Sequence, residues 1–574
     1  MKKIYSLIVC AVLSLVFIQY RLAYTDSDAK QSLMVTTWDA LGYYFYLPAV
    51  FIYEDVHQLE WMSEIEQEYQ VTGGAFYQAR KHENGNYVGK YLSGVAMMQA
   101  PFFFVGHCIA QNTAYKADGF SAPYQYAIAL GALLYAIIGL FLLRSILLLF
   151  FSDAAVALGL LLMGLATNLI QYVSIKSGMS HAYIFVLYAL ILYCTLKWHN
   201  QPRIGWAFLG GWIMGLATIC RPTEAIILFI PLLWNTHTKT ASKQKWTQVK
   251  AHHTHLLYAV LGGLIGILPQ LIYWKTVTGG WIYNVGSKWY FLSPYFRVLF
   301  GFENGWFIYT PITIFFVLGF WFIKNQPFKN AVLTFCLLNI WIIIAWSDWK
   351  YGGTYATRAL VQSYPVFALP FTAIIEKILN HKWRYAFYGL ALYLVSVNLF
   401  QLYQYNETIL HYRDMNRLYY GRIYLNPDPS PLDMSLLDTD EVLDNETDYK
   451  QQELVALNIP FFANSNALQT VLSETTFDAT LSEQWLKITA SIKSTQAWWG
   501  SYLSAQIIEK EESKLSKIRL FSPISQAEAT NNYAFFMKVP SNYSGTIPLK
   551  VMIESPIPWA GKVEALSIRL LTKH

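Results

Sequence analysis

The chain has 574 residues, of which 55% are hydrophobic and 14% are charged, and its mean hydropathy is +0.29. Soluble globular domains carry about 25% charged residues, so this composition excludes an ordinary soluble protein and indicates a polytopic membrane protein. The net charge of +6 lies mostly in short loops between apolar runs, which is typical of membrane orientation and does not favour nucleic-acid binding.

Apolar runs long enough to cross a bilayer follow one another through the first 402 residues. They lie near 4–20, 124–148, 153–173, 181–198, 256–275, 305–323, 330–346, 359–377 and 384–402. The first run follows a basic start, and no convincing small-x-small cleavage site follows it, so we interpret it as an uncleaved span.

Two further runs, 92–111 and 204–235, are resolved by the positive-inside rule. The basic, acid-poor connections should be cytoplasmic: Lys197–Arg203, Lys239/Lys243/Lys245/Lys250, Lys324/Lys329 and Lys377/Lys382/Arg384. This requires 92–111 to be interfacial or re-entrant. It also requires 204–235 to form two short helices that meet at Arg221-Pro222, since proline disfavours helix before it. The prediction is about eleven spans, with the N-terminus cytoplasmic and the C-terminus outside.

The predicted domains are a transmembrane module over 1–402, a linker over 403–431 and an external domain over 432–574. A long first external loop covers 21–123. The linker contains Asn426-Pro427-Asp428-Pro429-Ser430-Pro431. The tail then shows period-two runs separated by turn residues, which predicts a small antiparallel β-sandwich. These runs include Trp485–Ser491, Tyr502–Glu509, Asn532–Val539 and Val563–Leu571.

The five cysteines all lie in apolar segments and lack CxxC spacing, so neither a disulfide framework nor a zinc site is predicted. An external domain without disulfides fits a bacterial inner membrane protein with a periplasmic tail.

One acid stands out in the first loop, in Trp38-Asp39-Ala40-Leu41-Gly42-Tyr43-Tyr44. A carboxylate among aromatic residues beside an apolar surface suits a general base for a hydroxyl. An aspartate before an apolar run is also a common helix N-cap, and the sequence leaves both interpretations open.

Other polar groups follow at the predicted external ends of the spans. They are Lys90, Lys176, His181, Arg221, Glu224 and the mouth Trp346–Arg358, which contains Asp348 and Tyr355. Each alone has a structural explanation, such as snorkelling for Lys90 or an Arg221–Glu224 clasp. Together, cations, acids and aromatic residues on one face suit a site for a phosphorylated lipid and a sugar.

The motifs occur in an order that resembles the GT-C superfamily of integral membrane glycosyltransferases, near the protein mannosyltransferase and aminoarabinose transferase branch. The series runs through Asp39-x-x-Gly42-Tyr43-Tyr44, Lys90-Tyr91, Gly178-Met179-Ser180-His181-Ala182, Arg221-Pro222-Thr223, Gly305–Pro311 and Trp346–Arg358. The resemblance covers about residues 1–402 and leaves the tail outside it.

The resemblance implies that a sugar passes, with inversion, from a polyprenyl-phosphate donor to a glycan, lipid or protein acceptor on the outer side. Asp39 would be the catalytic base. Lys90 and Arg221, followed by Arg358 and Lys176, would hold the donor phosphate. The residues assigned to substrate binding are Tyr43, Tyr44, His181, Glu224, Asp348 and Tyr355. The acids Glu54, Asp55 and Asp348 are the candidates for a second acid, so a divalent metal (Mg²⁺ or Mn²⁺) stays open and no metal ligand is assigned.

Three alternatives remain at this point. A flippase or transporter for a lipid-linked saccharide would show mid-membrane polar residues and internal repeats, neither of which is evident. A polysaccharide polymerase or ligase using a similar donor fits the same residues. A non-catalytic scaffold for the tail would tolerate Asp39→Asn.

Overall fold

The computed structural model describes residues 3–24, 33–464, 468–480, 482–494, 500–509, 512–520, 530–556 and 559–574. The chain divides into two compact units, Met1–Leu402 and Tyr403–His574.

Six helices of the described chain are long and apolar enough to cross a membrane. They are Tyr5–Ala23, Ala122–Leu147, His181–Asn200, His253–Thr278, Arg358–Leu379 (its first turn is 3₁₀) and Arg384–Asn406. Five shorter apolar helices lie at other predicted spans: Asp153–Leu165, Ile204–Cys220, Pro222–Leu233, Pro311–Phe322 and Lys329–Ala345. The positions agree with the apolar runs of the sequence, while the number of eleven spans and their orientation stay predictions.

Proline accounts for two of the short helices. Arg221 ends Ile204–Cys220 in extended backbone (φ −152°, ψ 128°) because Pro222 follows it. Thr310 (φ −129°, ψ 63°) similarly separates Trp306–Tyr309 from the 3₁₀ turn that begins at Pro311. The break predicted at Arg221-Pro222 is therefore confirmed, and it leaves the Arg221 side chain at a helix junction.

The predicted first external loop is a folded layer with its own core. Its helices are Asp39–Tyr44, Tyr46–Phe51, Met62–Tyr69 and Gly94–Gln111, and its hairpin pairs strands β1 (Ala79–Lys81) and β2 (Tyr87–Gly89). Buried aromatic side chains that include Tyr44, Phe45, Trp61, Phe103 and Phe120 hold these pieces together. This core fixes the position of the Asp39 helix.

Short elements complete the membrane unit. They are the π-helical turn Gln171–Ile175, the helices Lys239–Ala251 and Arg297–Phe300, and the 3₁₀ turn Arg358–Ser363, which leads into Tyr364–Leu379. Lys239–Ala251 lies in a basic connection where the sequence predicts only a loop, and the Thr238 side chain caps its first turn.

The tail begins with helices Arg417–Ile423 and Pro431–Ser435 and then forms two four-stranded antiparallel sheets. The strand order is β3-β10-β5-β8 in one sheet and β4-β9-β6-β7 in the other. The strands are β3 Tyr449–Asn464, β4 Gln469–Ala479, β5 Gln484–Ser494, β6 Tyr502–Glu509, β7 Glu512–Arg519, β8 Thr530–Lys538, β9 Gly545–Glu554 and β10 Trp559–Lys573. Apolar side chains of both sheets, such as Ile488 and Ile507, share one core, as the predicted sandwich requires.

Candidate active site

Asp39 begins its short helix directly after a residue in an unusual backbone conformation. Trp38 has φ 55° and ψ −128°, values that a non-glycine residue adopts only when its surroundings enforce them. The Trp38 amide donates to the Val71 carbonyl (2.9 Å), and the Gln78 amide donates to the Trp38 carbonyl (3.1 Å). The folded first loop thus holds both the amide and the carbonyl of Trp38. These bonds fix the backbone directly before Asp39 and so the position from which its side chain extends.

The Asp39 carboxylate accepts hydrogen bonds from side chains of three other segments. Tyr77 and Tyr91 donate to Oδ1 at 2.8 Å and 2.6 Å, and Arg358 Nη2 donates to Oδ2 at 2.7 Å. Tyr77 and Tyr91 flank the β1–β2 hairpin, whereas Arg358 comes from the last external mouth, 319 residues along the chain. These contacts favour a functional role for Asp39 over a simple N-cap.

Electrostatics at Asp39 strongly favour its ionised form. Burial alone would raise its pKa, but the Arg358 guanidinium and the hydroxyls of Tyr91 and Tyr77 lower the pKa of Asp39 to about 2. Burial and the neighbouring Asp39 charge raise the pKa of both tyrosines, so the two phenols stay protonated donors. In this arrangement Asp39 is a fixed anion and a weak base.

Two of the predicted phosphate-binding cations lie around the same tyrosines. Lys90 Nζ lies 5.2 Å from the Tyr77 ring centroid and 5.4 Å from that of Tyr91. Arg221 Nε donates to the Tyr43 hydroxyl at 3.3 Å, and the Tyr43 ring packs against Tyr91 with 4.7 Å between centroids. Within the described chain neither cation has an acid within 4.0 Å, so both retain positive charge for a ligand.

Lys176 is the third such cation and follows the π-helical turn Gln171–Ile175. Arg21 fixes the end of that turn by donating to the Ile175 carbonyl (3.1 Å). The pKa of Lys176 is lowered, first because surrounding protein displaces its hydration and then because Arg358 and Arg21 are near, while Asp39 opposes this effect. No ion pair to Lys176 occurs in the part of the chain that the structure describes, so an anionic ligand would relieve this repulsion.

His181 and Glu224 belong to a buried hydrogen-bonded network that also contains Tyr188 and Gln362. Glu224 accepts from the Tyr188 hydroxyl and from Gln362 Nε2 (3.1 Å), and Gln362 Oε1 faces His181 Nδ1 at 2.8 Å. Because the amide oxygen only accepts, His181 Nδ1 carries the proton and its buried Nε2 is a bare acceptor. The predicted Arg221–Glu224 clasp is not formed as an ion pair, since the Glu224 carboxylate bonds to Tyr188 and Gln362 instead.

Three residues assigned to substrate binding do not take part in the hydrogen bonds to the Asp39 carboxylate. Tyr44 is fully buried in the first-loop core and donates to the Gly119 carbonyl. Tyr355 is also fully buried and donates to Asn398 Oδ1 at 2.9 Å. Asp348 is exposed in the last mouth. Tyr44 and Tyr355 serve interior packing, and the substrate-binding roles of all three residues stay predictions.

The sequence motifs do not identify the tyrosines that hydrogen-bond to Asp39 or the glutamine that links His181 to Glu224. Tyr77 and Gln362 lie in segments without a recognisable motif, and Tyr91 was noted only as the neighbour of Lys90. Their partners are distant in sequence, so no local pattern could identify them.

A divalent metal does not fit the residues around Asp39. Both carboxylate oxygens already accept hydrogen bonds, one of them from a guanidinium. Asp55 accepts from the backbone amides of His57, Gln58 and Glu60, and so caps a turn. In the described residues no group of three or more His, Cys, Asp or Glu could hold a metal ion. We therefore derive no catalytic step through a metal.

No protein-family model and no curated protein matches the chain. Among solved structures, it is similar to the archaeal oligosaccharyltransferase AglB from Archaeoglobus fulgidus in complex with an inhibitory peptide and a dolichol-phosphate. The identity is 11%, the match covers 74% of this chain and 59% of that chain, and the TM-score is 0.44. The same archaeal enzyme in complex with Zn and sulfate matches at 9% identity, 73% and 56% coverage, and a TM-score of 0.39.

The arabinosyltransferase EmbB from Mycobacterium smegmatis matches at 9% identity, with 96% of this chain and 64% of that chain covered and a TM-score of 0.35. The chain therefore spans about three fifths of the length of these proteins. These likenesses are distant.

Proposed function

We propose that the chain is an integral membrane glycosyltransferase that moves a sugar from a polyprenyl-phosphate donor to an acceptor hydroxyl, with inversion. The observation that carries this proposal is a single ionised acid, Asp39, surrounded by more cations than it can neutralise. Such an excess of positive charge suits a phosphate leaving group, whose negative charge grows in the transition state.

The proposed roles follow from the contacts. Lys90, Lys176 and Arg221 have no acidic partner among the described residues and would receive the donor phosphate. As the bond between the anomeric carbon and the phosphate oxygen breaks, that oxygen keeps the electron pair and the phosphate becomes a dianion. Fixed cations stabilise this charge without having to reorganise.

Arg358 has a different role, because it already pairs with Asp39. Its Nε is buried without a partner among the described residues, so its hydrogen bonding is incomplete. A donor phosphate near Lys176 and Arg221 would compete for the guanidinium and weaken its hold on Asp39. The pKa of Asp39 would then rise from about 2, because burial is the opposing influence. Donor binding would thus convert a fixed anion into a general base.

The acceptor oxygen attacks the anomeric carbon from the face opposite the phosphate, and Asp39 takes its proton. The new carbon–oxygen bond replaces the old one, so the configuration inverts. An oxocarbenium-like transition state is expected, as in glycoside hydrolysis.

An apolar external segment supports a lipid-linked donor. Phe291, Leu292, Phe296 and Phe300 are exposed in the mouth 279–304, and Leu292 is fully exposed. This mouth is tied to the end of helix Lys329–Ala345, because the amides of Tyr290 and Tyr295 donate to the carbonyls of Ala345 and Ile344. The same helix leads into the mouth that carries Arg358. Apolar surface of this kind suits a membrane or a polyprenyl chain.

The proposed location is a bacterial inner membrane with a cytoplasmic N-terminus, a periplasmic site and a periplasmic tail.

The test is transfer from a panel of radiolabelled polyprenyl-phosphate sugars in proteoliposomes. Wild type should transfer at least one of these sugars, and Asp39→Asn should lower the rate about 100- to 10,000-fold while still binding the donor. Glu64→Gln is the matched control, because Glu64 is an exposed acid of the same loop outside the Asp39 hydrogen bonds. Equal flipping of the same lipids by wild type and Asp39→Asn, without transfer by either, would favour a transporter instead.

A further inference from the structure

Trp38 is an exposed aromatic residue directly beside the candidate base. Its side chain is 56% exposed, although the residue lies between buried Thr36 and buried Ala40. An isolated exposed tryptophan needs no special explanation in a membrane protein, since aromatic residues gather at interfaces. Trp38 differs because the fold holds it in place by several independent contacts.

The backbone contacts are the first of these. The conformation at φ 55° and ψ −128° costs free energy and persists only because Val71 and Gln78 hold the amide and the carbonyl. Gln78 follows Tyr77, whose hydroxyl donates to Asp39. The dipeptide Tyr77-Gln78 therefore positions both Asp39 and Trp38.

The ring itself lies against a position that only glycine can occupy. A Cβ placed on Gly73 would lie 2.4 Å from the Trp38 indole, and Gly73 has φ +74°. The turn under the ring is rigid, because Glu66 accepts from both the amide and the hydroxyl of Thr72 at 2.7 Å. The indole is thus supported by the turn and leaves more than half of its surface to solvent.

We propose that Trp38 is the acceptor platform of the proposed transferase and that the acceptor presents a pyranose ring, so that it is a glycan. This inference rests on the proposed function. The apolar C–H face of a pyranose packs on a flat indole and can bring a ring hydroxyl to the adjacent Asp39 carboxylate. Stacking of this kind supplies binding without requiring one particular sugar.

The backbone contacts argue against a peptide acceptor at this position. Peptides commonly bind by adding a strand to an exposed edge, which requires unpaired amides and carbonyls. Here the Thr37 carbonyl accepts from the Ala40 amide, and both backbone groups of Trp38 are already bonded. At Trp38 itself, the group left for a ligand is the exposed indole.

The kinetic test compares Trp38→Phe, Trp38→Leu and Trp281→Ala in proteoliposomes, with a pyranoside acceptor series. Trp281 is the matched control, since it is also 56% exposed in an external loop. Trp38→Leu keeps apolar bulk without a ring and should raise the acceptor KM at least tenfold, with donor KM and kcat within threefold. Trp38→Phe should raise the acceptor KM only two- to fourfold, and Trp281→Ala should leave the acceptor KM unchanged. A fall in kcat at unchanged acceptor KM would overturn the proposal and assign Trp38 to positioning Asp39 alone.

A binding measurement separates this inference from the proposed function. The full chain labelled with 5-fluorotryptophan is titrated with methyl pyranosides, with a gluco-tetraose and with a serine-containing hexapeptide, and the Trp38 ¹⁹F resonance is assigned from Trp38→Phe. The resonance should shift with the saccharides and not with the peptide, whether or not transfer is detected. A shift with the peptide alone, or with no ligand, would overturn the glycan platform. If the saccharides shift the resonance but no transfer is detected, the result would contradict the proposed transferase activity and leave the glycan platform supported.

Discussion

Among the described residues, the cations of the tail are paired with acids more often than the cations around Asp39. In the tail, nine described lysines and arginines pair with acids: Arg422, Lys487, Lys514, Lys517, Arg519, Lys538, Lys550, Lys562 and Lys573. Around Asp39 in the membrane unit, Arg358 alone pairs with an acid, whereas Lys90, Lys176 and Arg221 do not within the described residues. Charges that satisfy each other stabilise a fold, and charges left unsatisfied on fixed elements indicate a ligand.

Arg519 illustrates the structural use of charge. Its guanidinium donates to Asp438 at 2.7 Å and 2.9 Å, and its backbone amide donates to the same carboxylate at 2.8 Å. These bonds join the segment before β3 to strand β7. Arg358 makes one comparably short bond, to Asp39, and keeps an unbonded Nε.

Among the cations compared here, the largest expected effect comes from removing Arg358. Arg358→Ala should lower the transfer rate about 1000-fold, because a preorganised cation and the partner that holds Asp39 are both lost. Arg358→Lys should retain part of the rate, since it keeps the charge without the planar fork. Initial rates at saturating donor and acceptor measure this effect, and a rate for Arg358→Ala within tenfold of wild type would remove Arg358 from the mechanism.

The pH dependence of Arg358→Gln tests whether Arg358 controls the protonation of Asp39. In the resting protein the pKa of Asp39 is about 2, so the carboxylate is ionised from below pH 4 upward. Without Arg358, burial raises this pKa, so the variant should lose its remaining activity as pH falls toward the new value. Wild-type donor binding should be constant from pH 5 to 8, whereas donor binding by Arg358→Gln should change on acidification. A flat profile for the variant would contradict the assigned coupling.

A smaller effect is expected for the unpaired cations. Lys176→Gln and Arg221→Gln should each raise the donor KM about 10- to 100-fold, because a charged hydrogen bond contributes about 1.5–3 kcal/mol. The acceptor KM should stay constant. Lys288→Gln, in an exposed external loop, is the control. If Lys288→Gln raised the donor KM equally, general attraction of the anionic lipid would explain the result. Lys176 and Arg221 would then have no specific role in donor binding.

The smallest effect on transfer is expected in the tail. Arg519→Ala should destabilise the tail by about 2–4 kcal/mol, because it leaves the mostly buried Asp438 unpaired. The transfer rate should change less than twofold. Limited proteolysis of the full chain measures the loss, and Lys517→Ala, whose pair with Glu554 is long (3.9 Å) and exposed, should change stability by less than about 0.5 kcal/mol. A large loss of transfer in Arg519→Ala would show that the two charge patterns are not independent.

The sequence by itself determined the helical membrane class, the positions of the apolar runs, the break at Arg221-Pro222 and the β-sandwich of the tail. These features follow from local causes: run length, charge between runs, the steric effect of proline and period-two patterning. Asp39, Lys90, Lys176, Arg221 and Arg358 were also named from sequence, because charge beside apolar runs is conspicuous.

Only the tertiary structure decided which of those residues meet. The Asp39–Arg358 bond joins residues 319 positions apart, and the hydroxyls of Tyr77 and Tyr91 reach Asp39 only because the first loop folds on its own aromatic core. Tyr44 lies in that core, whereas Tyr355 is buried elsewhere in the membrane unit, beside Asn398. The strained backbone of Trp38 is likewise invisible in sequence, since it is imposed by the hydrogen bonds that its amide donates to Val71 and its carbonyl accepts from Gln78. Local patterns specify elements, whereas contacts between distant segments specify the site.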